Sequence, residues 1–571
     1  MSRDGQKTGY QWRRRFVLGV LGASVLVLGW RLLDLQVLDR DFYRGQGDAR
    51  ILRVTSVPAH RGMITDRNGE PMAVSTPVAS LWANPQELIP ARDRWSELAR
   101  ALGLKRDELE RDLSDYAQRE FMYLKRQVPP DVAEAVKALD IPGVYLTKEY
   151  RRYYPAGEVT AHVLGFTDVD DRGQEGIELA YDDWLRGIPG SKRVIKDGRR
   201  QTVQDVESIR EPRPGRDLKL SIDLRLQYLA YRELKATVQE HQARSGSLVL
   251  LDARTGEVLA MVNQPAGNPN NRADFSGSRY RNRAVTDPFE PGSTVKPFTV
   301  AAALEEGTYT PETPVETGPG WLRVGRNTVR DVHNYGSLDV SGVIKKSSNV
   351  GVAKIALSLP PERLWGVFSR VGFGKTTGSG FPGETGGLLA DYTRWRPIEQ
   401  ATFAFGYGVS VTALQLAEAY TVLANGGVRH PVSLLRRDEV PEGERVLSEK
   451  VVSQIIPMLQ SVVEKGGTAT RAAIPGYRVG GKTGTVRKVT AGGYSTNHYL
   501  ALFSGIAPLS HPRLVMAVMI NDPGGRSYYG GQVAAPLFAN VMSGALRLLN
   551  IPPDAPTEEQ LRLAGNVKVT P

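Results

Sequence analysis

Cysteine is absent from the 571-residue chain, so disulfide bonds, a thiolate nucleophile and cysteine-ligated metals are all excluded. Histidine is scarce, with seven residues scattered along the chain and no His-Glu-x-x-His pattern. A zinc hydrolase needs closely spaced ligands of this kind. The sequence therefore predicts a protein that uses no metal and no cofactor.

Positive charge is in excess but is not clustered. The formal net charge is +11, and residues 1–15 hold five basic side chains against one acidic side chain. Beyond this short leader, basic and acidic residues are mixed, and no stretch interleaves lysine or arginine with aromatic residues. Nucleic-acid binding requires such clusters, so no nucleic-acid partner is predicted.

One long apolar run, residues 16–30, directly follows the basic leader. Apolar residues resume after Arg31, whose side chain can reach the membrane interface. The usable helix is therefore about 20 residues long, which is enough to span a bilayer. A cleaved signal peptide is the alternative, but no small-x-small cleavage site follows the run. The three arginines at 13–15 also resemble a twin-arginine export signal. Because basic flanks stay in the cytoplasm, we expect an uncleaved anchor over 16–38 and export of the rest.

Changes in composition divide the exported part into two domains and a tail. Residues 40–215 have the pattern of a mixed, non-catalytic domain, and the Pro, Gly and charge-rich stretch 210–216 is typical of a linker. Residues 217–550 are predicted to form the second domain, and 551–571 a flexible tail. Glu175 and Glu178 lie in a glycine-flanked turn of the first domain, and we interpret them as structural residues.

Alternating apolar residues in the second domain predict an antiparallel sheet flanked by helices. In the first domain, strands are predicted on both sides of Asn68-Gly69 and a helix over 91–115. The fold class is therefore α+β and multidomain, with one N-terminal transmembrane helix. In the second domain, a helix is predicted over 224–241 and strands over 247–252, 257–262, 478–486, 499–506 and 514–520.

Three short motifs follow one another in the second domain: Ser293-Thr-Val-Lys296, Ser347-Ser-Asn349 and Lys482-Thr-Gly-Thr485. Each is weak alone, because about one or two Ser-x-x-Lys matches are expected from composition in a chain of this length. Alone, the first serine would be a helix N-cap and the third motif a polar strand end. Their ordered joint occurrence, 54 and 189 positions after Ser293, is far more specific. Together they predict acyl transfer through a serine ester.

The first two motifs supply the groups that acyl transfer needs. A helix predicted over 294–304 places Ser293 at its N-terminus, where free N–H groups favour an oxyanion. Lys296 lies three residues on and shares a helix face with the serine, so we interpret it as the general base. A second buried lysine would lower its pKa through desolvation and repulsion. Ser347 is predicted to relay a proton to the leaving amine, and Asn349 to hydrogen-bond the substrate backbone.

The third motif predicts recognition of a carboxylate. It lies on a predicted strand, where the ammonium of Lys482 and the hydroxyls of Thr483 and Thr485 can hold a terminal carboxylate. Gly484 lets a ligand backbone approach closely. The predicted substrate is therefore a peptide with a free C-terminal carboxylate.

The motifs and the residues around them resemble the class B penicillin-binding proteins, in particular the septal peptidoglycan D,D-transpeptidases of Gram-negative bacteria. The resemblance runs from the membrane anchor to about residue 552 and shows no departure at the catalytic positions. Outside the motifs it rests on Arg61-Gly-Met-Ile-Thr-Asp-Arg-Asn-Gly69, Arg151-Arg-Tyr-Tyr-Pro-Ala-Gly-Glu-Val-Thr-Ala-His162, Phe289-Glu-Pro-Gly292, Phe405-Gly-Tyr-Gly408, Ile520-Asn-Asp-Pro523 and Tyr528-Tyr-Gly-Gly531.

The resemblance implies a single-pass protein of the bacterial inner membrane, with a cytoplasmic N-terminus, a dimerisation-type pedestal and a periplasmic catalytic domain. Such an enzyme cleaves the D-Ala-D-Ala bond of a stem pentapeptide and passes the acyl group to an amine on a neighbouring strand. β-Lactams acylate the same serine, and a septal membrane glycosyltransferase and other divisome proteins are the implied partners. The backbone N–H groups of Ser293 and Thr485 are the implied oxyanion hole. The implied pocket aromatics are Tyr407, Tyr499, Tyr528 and Tyr529.

Other functions remain open on the sequence. A D,D-carboxypeptidase or a β-lactamase would use the same nucleophile and transfer the ester to water. An elongation-type transpeptidase has the nearest pattern, although the first-domain strings favour the septal type. A divisome scaffold with a vestigial catalytic fold is the non-enzymatic alternative, and the intact motifs argue against it.

Overall fold

The structure is a computed structural model that describes residues 7–38, 40, 52–196, 202–271, 277–490, 493–525 and 527–556. Residues 1–6 of the predicted leader and the predicted tail beyond 556 lie outside the described residues. The strands, numbered in chain order, are β1 (Leu52–Val57), β2 (Ile64–Thr65), β3 (Pro71–Ala83), β4 (Met122–Val128), β5 (Val144–Tyr153), β6 (Gly190–Lys196), β7 (Thr202–Arg210), β8 (Leu218–Lys219), β9 (Ser245–Asp252), β10 (Val258–Gln264), β11 (Pro314–Glu316), β12 (Trp321–Val324), β13 (Asn327–Arg330), β14 (Ser337–Asp339), β15 (Leu388–Leu389), β16 (Val409–Ser410), β17 (Val428–Arg429), β18 (Glu444–Arg445), β19 (Gly480–Thr490), β20 (Gly493–Ala507) and β21 (Leu514–Asn521). The α-helices are Lys7–Leu33, Pro85–Leu88, Trp95–Leu102, Arg106–Asp115, Pro130–Ala138, Ala161–Leu164, Gly176–Ala180, Asp182–Leu185, Leu224–Glu240, Arg283–Thr286, Lys296–Glu306, Val340–Lys346, Asn349–Leu357, Pro361–Arg370, Pro397–Phe403, Ala413–Ala424, Glu449–Val463 and Gly530–Leu548.

The N-terminal helix Lys7–Leu33 continues into a π-helical turn, Asp34–Leu38, and contains the predicted anchor. The candidate span Gln11–Val37 is 27 residues long and contains an 18-residue window with a mean hydropathy of 2.0. Its apolar side chains are exposed, with Leu26 at 75%. Exposure of so many apolar groups is unfavourable in water but favourable in a bilayer, so the helix has the length and surface of a membrane span.

Two compact units are present, and the first comprises residues 1–60 and 187–215. Besides the N-terminal helix it contains an antiparallel sheet in the order β1-β6-β7. The register pairs Val57 with Gly190 and Ser191 with Arg210. A Cβ on Gly190 would lie 2.6 Å from the carbonyl oxygen of Arg210, so glycine is required at the start of this central strand.

The second unit, residues 61–186 and 216–571, begins with a sheet built around the 13-residue strand β3. The order is β4-β3-β2-β8, and β5 also pairs with β3. The helix predicted over 91–115 is in fact three pieces: a 3-10 turn, Ile89–Arg94, and the helices Trp95–Leu102 and Arg106–Asp115. It breaks because Gly103 adopts a left-handed conformation, φ +65°, that ends the middle piece.

A buried ionic cluster joins distant segments of this first part of the second unit. Arg61, 1% exposed, donates to Glu178 at 2.8 Å and to Asp182 at 2.7 Å. Arg152 donates to the other oxygen of Glu178 at 2.6 Å. Two arginines thus engage this glutamate fully, as expected for a structural residue and not for an acid catalyst.

The rest of the second unit is built on one antiparallel sheet in the order β10-β9-β21-β20-β19. All eight residues of β9 are buried, because the strand lies inside the sheet with helices packed on it. The helices Leu224–Glu240 and Gly530–Leu548 pack on the sheet and on each other, and Glu449–Val463 packs against β19. The predicted antiparallel sheet with flanking helices is therefore confirmed. Strand β19, which carries the third motif, lies at its edge.

Candidate active site

The turn that carries Ser293 is fixed by the glycine before it. Residues Gly292–Val295 form a 3-10 turn that continues into the helix Lys296–Glu306, so the helix predicted over 294–304 starts with a tighter turn than expected. Gly292 has φ +53°, and a Cβ there would lie 2.4 Å from Val486 Cγ2 on β19. Glycine lets the turn approach the strand, and this places the half-buried Ser293 beside β19.

Two lysines meet at the hydroxyl of Ser347. Lys296, fully buried, donates to Ser347 O at 2.6 Å, to Ser347 Oγ at 3.2 Å and to Asn349 Oδ1 at 2.8 Å. Lys482, also fully buried, donates to Ser347 Oγ at 2.9 Å. Among the described residues, the hydrogen bonds of Lys296 are to the second motif and not to Ser293. The structure therefore places Ser347 Oγ between both ammonium groups.

The electrostatics of this pair favour an uncharged lysine. Burial, followed by repulsion from Lys482, lowers the pKa of Lys296 well below its ordinary value, against the opposing attraction of Asp331. Burial also lowers the pKa of Lys482 to about 7. Two ammonium groups around one hydroxyl, both out of contact with water, are costly to keep charged together. The pair can therefore hold a neutral amine that accepts a proton near neutral pH.

Asp331 holds the second motif in place. Ser347, with φ +60°, ends the helix Val340–Lys346, and Asn349 begins the next helix. The carboxylate of Asp331 accepts hydrogen bonds from Ser348 Oγ at 2.5 Å and from the backbone N–H groups of Asn349 and the residue after it. It thus caps the second helix and fixes the turn between the two helices, which holds Ser347 in contact with both lysines.

Asp331 cannot be recognised as a site residue from the sequence, for a physical reason. A capping carboxylate normally precedes its helix by one residue, and that position is occupied here by Ser348, which accepts from Gly351 N at 2.8 Å. Asp331 reaches the same helix end from the loop after β13, 18 positions before Asn349. A helix end that is capped twice, once from a distant loop, leaves no periodic signal in the sequence.

Strand β19 presents two threonines to the site. Thr483 Oγ1 lies 2.8 Å from Thr468 Oγ1, and Thr485 Oγ1 accepts from Gly530 N at 3.0 Å. Gly484 faces the protein, since a Cβ there would lie 3.1 Å from both Leu502 Cβ and Pro291 O. Packing of its own strand thus accounts for this glycine, and its contact with a ligand backbone stays a prediction.

The expected grip of Lys482 on a carboxylate does not fit the structure. Its side chain is fully buried and its ammonium group is directed to Ser347 Oγ. A ligand in the cleft therefore meets the threonine hydroxyls of β19 without direct contact with this ammonium group.

The motif residues converge on one open cleft of about 530 Å³. Ser293, Ser347, Asn349, Thr483 and Thr485 all line it. Among the described residues, no group of three or more His, Asp or Glu side chains is placed to hold a metal ion. Apart from Tyr529, the other residues that line the cleft are not among the predicted site residues; they are Val332, His333, Tyr335, Lys346, Thr468, Thr470, Arg471, Gly531 and Gln532.

The four predicted pocket tyrosines are placed differently from one another. Tyr529 lines the cleft and stacks on Tyr528 at 4.5 Å between ring centroids. Tyr528 in turn stacks on Tyr499 at 4.2 Å. Tyr407 packs edge-on against Tyr494 at 5.2 Å. Tyr529 therefore contributes to the cleft wall and continues into a stack with Tyr528 and Tyr499, whereas Tyr407 lies in a separate aromatic group with Phe405 and Tyr494.

Comparison with known proteins agrees with this arrangement. The sequence matches the penicillin binding protein transpeptidase domain over residues 246–543 and the penicillin-binding protein dimerisation domain over residues 56–220. It is 46% identical over 551 residues to the peptidoglycan D,D-transpeptidase FtsI of Escherichia coli K12, covering 96% of this chain and 93% of that protein. It is 43% identical over 548 residues to the probable peptidoglycan D,D-transpeptidase PenA of Neisseria meningitidis serogroup A, covering 95% and 94%.

A solved structure shows the same likeness in the catalytic part. The transpeptidase domain of Burkholderia pseudomallei penicillin-binding protein 3 superposes with a TM-score of 0.55 at 43% identity, covering 59% of this chain and 98% of that one. Fold and site together define a serine acyltransferase of the penicillin-binding type. The chain belongs to the class B penicillin-binding proteins, the family of the peptidoglycan D,D-transpeptidases. With its one exposed apolar helix, it is a single-pass membrane protein.

Proposed function

We propose that this protein is the septal peptidoglycan D,D-transpeptidase, which cross-links cell wall during division through an acyl-enzyme on Ser293. One observation carries the proposal: the three motifs line one cleft, and two buried lysines meet there at Ser347 Oγ. The donor is the stem pentapeptide of peptidoglycan, which ends in D-Ala-D-Ala. β-Lactams acylate the same serine.

Acylation uses the neutral lysine as a base. Ser293 Oγ attacks the carbonyl carbon of the penultimate D-alanine, and its proton passes to Lys296. The backbone N–H groups of Ser293 and Thr485 stabilise the oxyanion. When the C–N bond breaks, the leaving D-alanine amine takes a proton from Ser347 Oγ, which recovers one from Lys296 across their 3.2 Å contact.

Deacylation reverses the proton path with a different amine. The acceptor amine of a neighbouring strand attacks the ester carbonyl, loses its proton to the neutral lysine through Ser347, and forms the new amide bond. The C–O bond breaks, and Ser293 recovers the proton from Lys296. Each turnover releases one D-alanine and returns both lysines to their starting charge.

The placement of the catalytic domain follows from the anchor. Residues 1–15 stay in the cytoplasm because of their positive charge, residues 16–38 cross the inner membrane, and both the pedestal 40–215 and the catalytic domain 217–550 lie in the periplasm. A septal membrane glycosyltransferase and other divisome proteins are the proposed partners. The tail 551–571 has no proposed catalytic part.

The test is covalent labelling with a fluorescent penicillin. Ser293→Ala should abolish the label with little change in thermal unfolding, because the ester cannot form without the hydroxyl. Ser453→Ala, on an exposed face of the helix Glu449–Val463, is the matched control and should label like the wild type. Label retained on Ser293→Ala would overturn the assignment.

A second assay separates transpeptidation from hydrolysis. With a D-Ala-D-Ala donor and an added amine acceptor, cross-linked product is expected in addition to released D-alanine. Release of D-alanine with water as the only acceptor would indicate a D,D-carboxypeptidase, and absence of both products and of label would leave a scaffold.

A further inference from the structure

The cleft wall carries an arginine that has no partner among the described residues. Arg471 lines the same cleft as Ser293, Thr483 and Thr485. Across the described chain its guanidinium makes neither an ion pair nor a hydrogen bond. The described residues that line the cleft include no aspartate and no glutamate. A cleft wall that carries cationic but no acidic side chains is suited to an anionic ligand.

The turn that carries Arg471 is held in place. Ala469 N donates to Val462 O at 2.9 Å, and Thr470–Ala472 form a 3-10 turn with Ala472 buried. The preceding residue, Thr468, contacts Thr483 Oγ1 at 2.8 Å. The arginine therefore extends from a turn tied to the strand that carries the substrate-binding threonines.

The N-terminus of a helix at the cleft also favours an anionic ligand. The 19-residue helix Gly530–Leu548 begins at the cleft, where Gly531 and Gln532 line the wall. A Cβ on Gly531 would lie 2.2 Å from Thr468 O, so the helix start lies directly against the segment that leads to Arg471. The positive end of a helix favours an anion nearby.

The lysine of the third motif cannot supply this charge directly. Lys482 is fully buried and its ammonium group donates to Ser347 Oγ. Lys346 also lines the cleft, but its ammonium group already donates to Gly466 O at 3.0 Å. Arg471 is thus the cation on the wall that is left for a ligand.

We propose that Arg471 is the charged partner of the terminal carboxylate of the D-Ala-D-Ala donor. The inference rests on the proposed function and adds a specificity-determining residue to it. Thr483 and Thr485 orient the carboxylate through their hydroxyls, and the guanidinium supplies the opposite charge. Charge-assisted hydrogen bonds are about twice as strong as neutral ones, so the arginine should decide between an acid and an amide at the peptide end.

The experiment uses the full-length protein in detergent and two pairs of peptides ending in D-Ala-D-Ala. The first pair differs only in a free C-terminal carboxylate or carboxamide, and the second only in a side-chain carboxylate or carboxamide at the third residue. Each peptide is titrated for protection of Ser293 against a fluorescent penicillin. Protection is expressed relative to the unprotected labelling rate of the same variant.

In the wild type, the free-acid peptide should protect at a concentration about 10- to 100-fold lower than its carboxamide. Arg471→Gln should raise the protecting concentration of the free acid at least tenfold and leave the carboxamide unchanged, and Arg471→Lys should recover part of the difference. Arg254→Gln, in the exposed turn between β9 and β10, removes the same charge far from the cleft in sequence and should behave like the wild type.

Four results would overturn the inference. The first is an unchanged ratio between the protecting concentrations of acid and carboxamide in Arg471→Gln, and the second is the same loss of discrimination in Lys346→Gln. The third is a loss confined to the third-residue pair, and the fourth is absence of protection by either peptide in a wild type that still labels. Failure of the proposed function itself is distinguishable, because it would show as a wild type that penicillin does not label or as label on Ser293→Ala.

Discussion

At the scale of single residues, the question is how lysine can act as a base at neutral pH. With an ordinary pKa, holding a lysine uncharged at pH 7 costs about 4.6 kcal/mol. The site reduces this cost by burying Lys296 and placing Lys482 at the same hydroxyl. The nearby Asp331 opposes the shift but does not reverse it. The base is thus prepared by the protein before any substrate binds.

This arrangement predicts the pH dependence of acylation. A lowered pKa means that the neutral amine appears at a lower pH. The base is therefore lost as pH falls through the pKa values of the two lysines. Burial and repulsion hold the pKa of Lys296 well below its ordinary value, and burial lowers the pKa of Lys482 to about 7, so the rate constant of penicillin acylation should fall as pH is lowered through neutrality and should reach its plateau well before pH 10. Quenched-flow labelling between pH 5 and 9 at constant ionic strength would measure it.

Thermal unfolding over the same pH range is the control, because loss of fold would imitate loss of base. A rate that does not change across this range, or that rises only toward pH 10, would contradict a depressed lysine pair.

The residues of the site differ in how far the sequence reveals them. Ser293, Ser347 and Thr485 lie in local motifs, and the structure places all three on the cleft. Asp331 and Arg471 belong to no motif, because what brings them to the site is the path of distant loops. Residues that act through tertiary placement leave no periodic or spacing signal in one sequence.

At the scale of elements, the second motif is a junction between two short helices. The helix Val340–Lys346 ends at Ser347 in a left-handed conformation, and the helix Asn349–Leu357 begins two residues later. Asp331 holds this junction through one hydroxyl and two backbone N–H groups. The position of Ser347 Oγ between two lysines therefore depends on a carboxylate outside both helices.

Asp331→Asn should slow acylation about tenfold or more while the protein remains folded. Asparagine keeps one acceptor but loses the charge and turns one oxygen into a donor, which costs about 1–3 kcal/mol at charged hydrogen bonds that, as here, are partly buried. The measurement is the penicillin acylation rate constant as a function of pH, together with thermal unfolding. We also expect the rising part of the pH–rate profile to shift to lower pH, since Asp331 raises the pKa of Lys296 and its charge is lost in this variant.

Asp339→Asn is the matched control, because Asp339 caps the neighbouring helix through Gly342 N at 2.6 Å and asparagine is an equally good cap. It should leave the rate and the pH profile unchanged. A purely structural role for Asp331 would appear as a lower unfolding temperature with an unshifted profile.

The helices and strands also show why the ends of an element are harder to predict than its presence. The sheet strands predicted from alternation are present, but the helix predicted over 91–115 is broken at Gly103. Apolar spacing continues across that glycine, so periodicity alone joins the pieces. The order β10-β9-β21-β20-β19 could not be predicted either, since it is set by pairing between strands about 270 positions apart in the chain.

At the scale of the whole molecule, chemistry and placement are separable. A soluble fragment beginning near Arg40 should be acylated by penicillin at close to the full-length rate, because every proposed catalytic residue lies beyond residue 290. The same fragment exported to the periplasm should fail to support division, since the anchor confines the enzyme beside its membrane partners and raises their effective concentration. Labelling rates and complementation of a conditional division mutant measure the two effects.

The full-length chain carrying Ser293→Ala is the control for complementation, because it is placed correctly but cannot react. A fragment that cannot be acylated would show that the helix supports the fold. A fragment that fully restores septation would show that the membrane segment is dispensable.

The pairing of β9 with β21 has a consequence for the timing of synthesis. Ser245 lies opposite Asn521 and Asp252 opposite Leu514, so a fully buried strand has its inner neighbour about 270 positions later in the chain. At about 5–20 residues per second, a ribosome needs roughly 15 to 50 seconds to make the intervening segment. During that interval the strand has no neighbour on that edge, and Thr485 and Gly530 have yet to meet. The nascent enzyme therefore stays inactive until β21 and the start of the helix Gly530–Leu548 have been made.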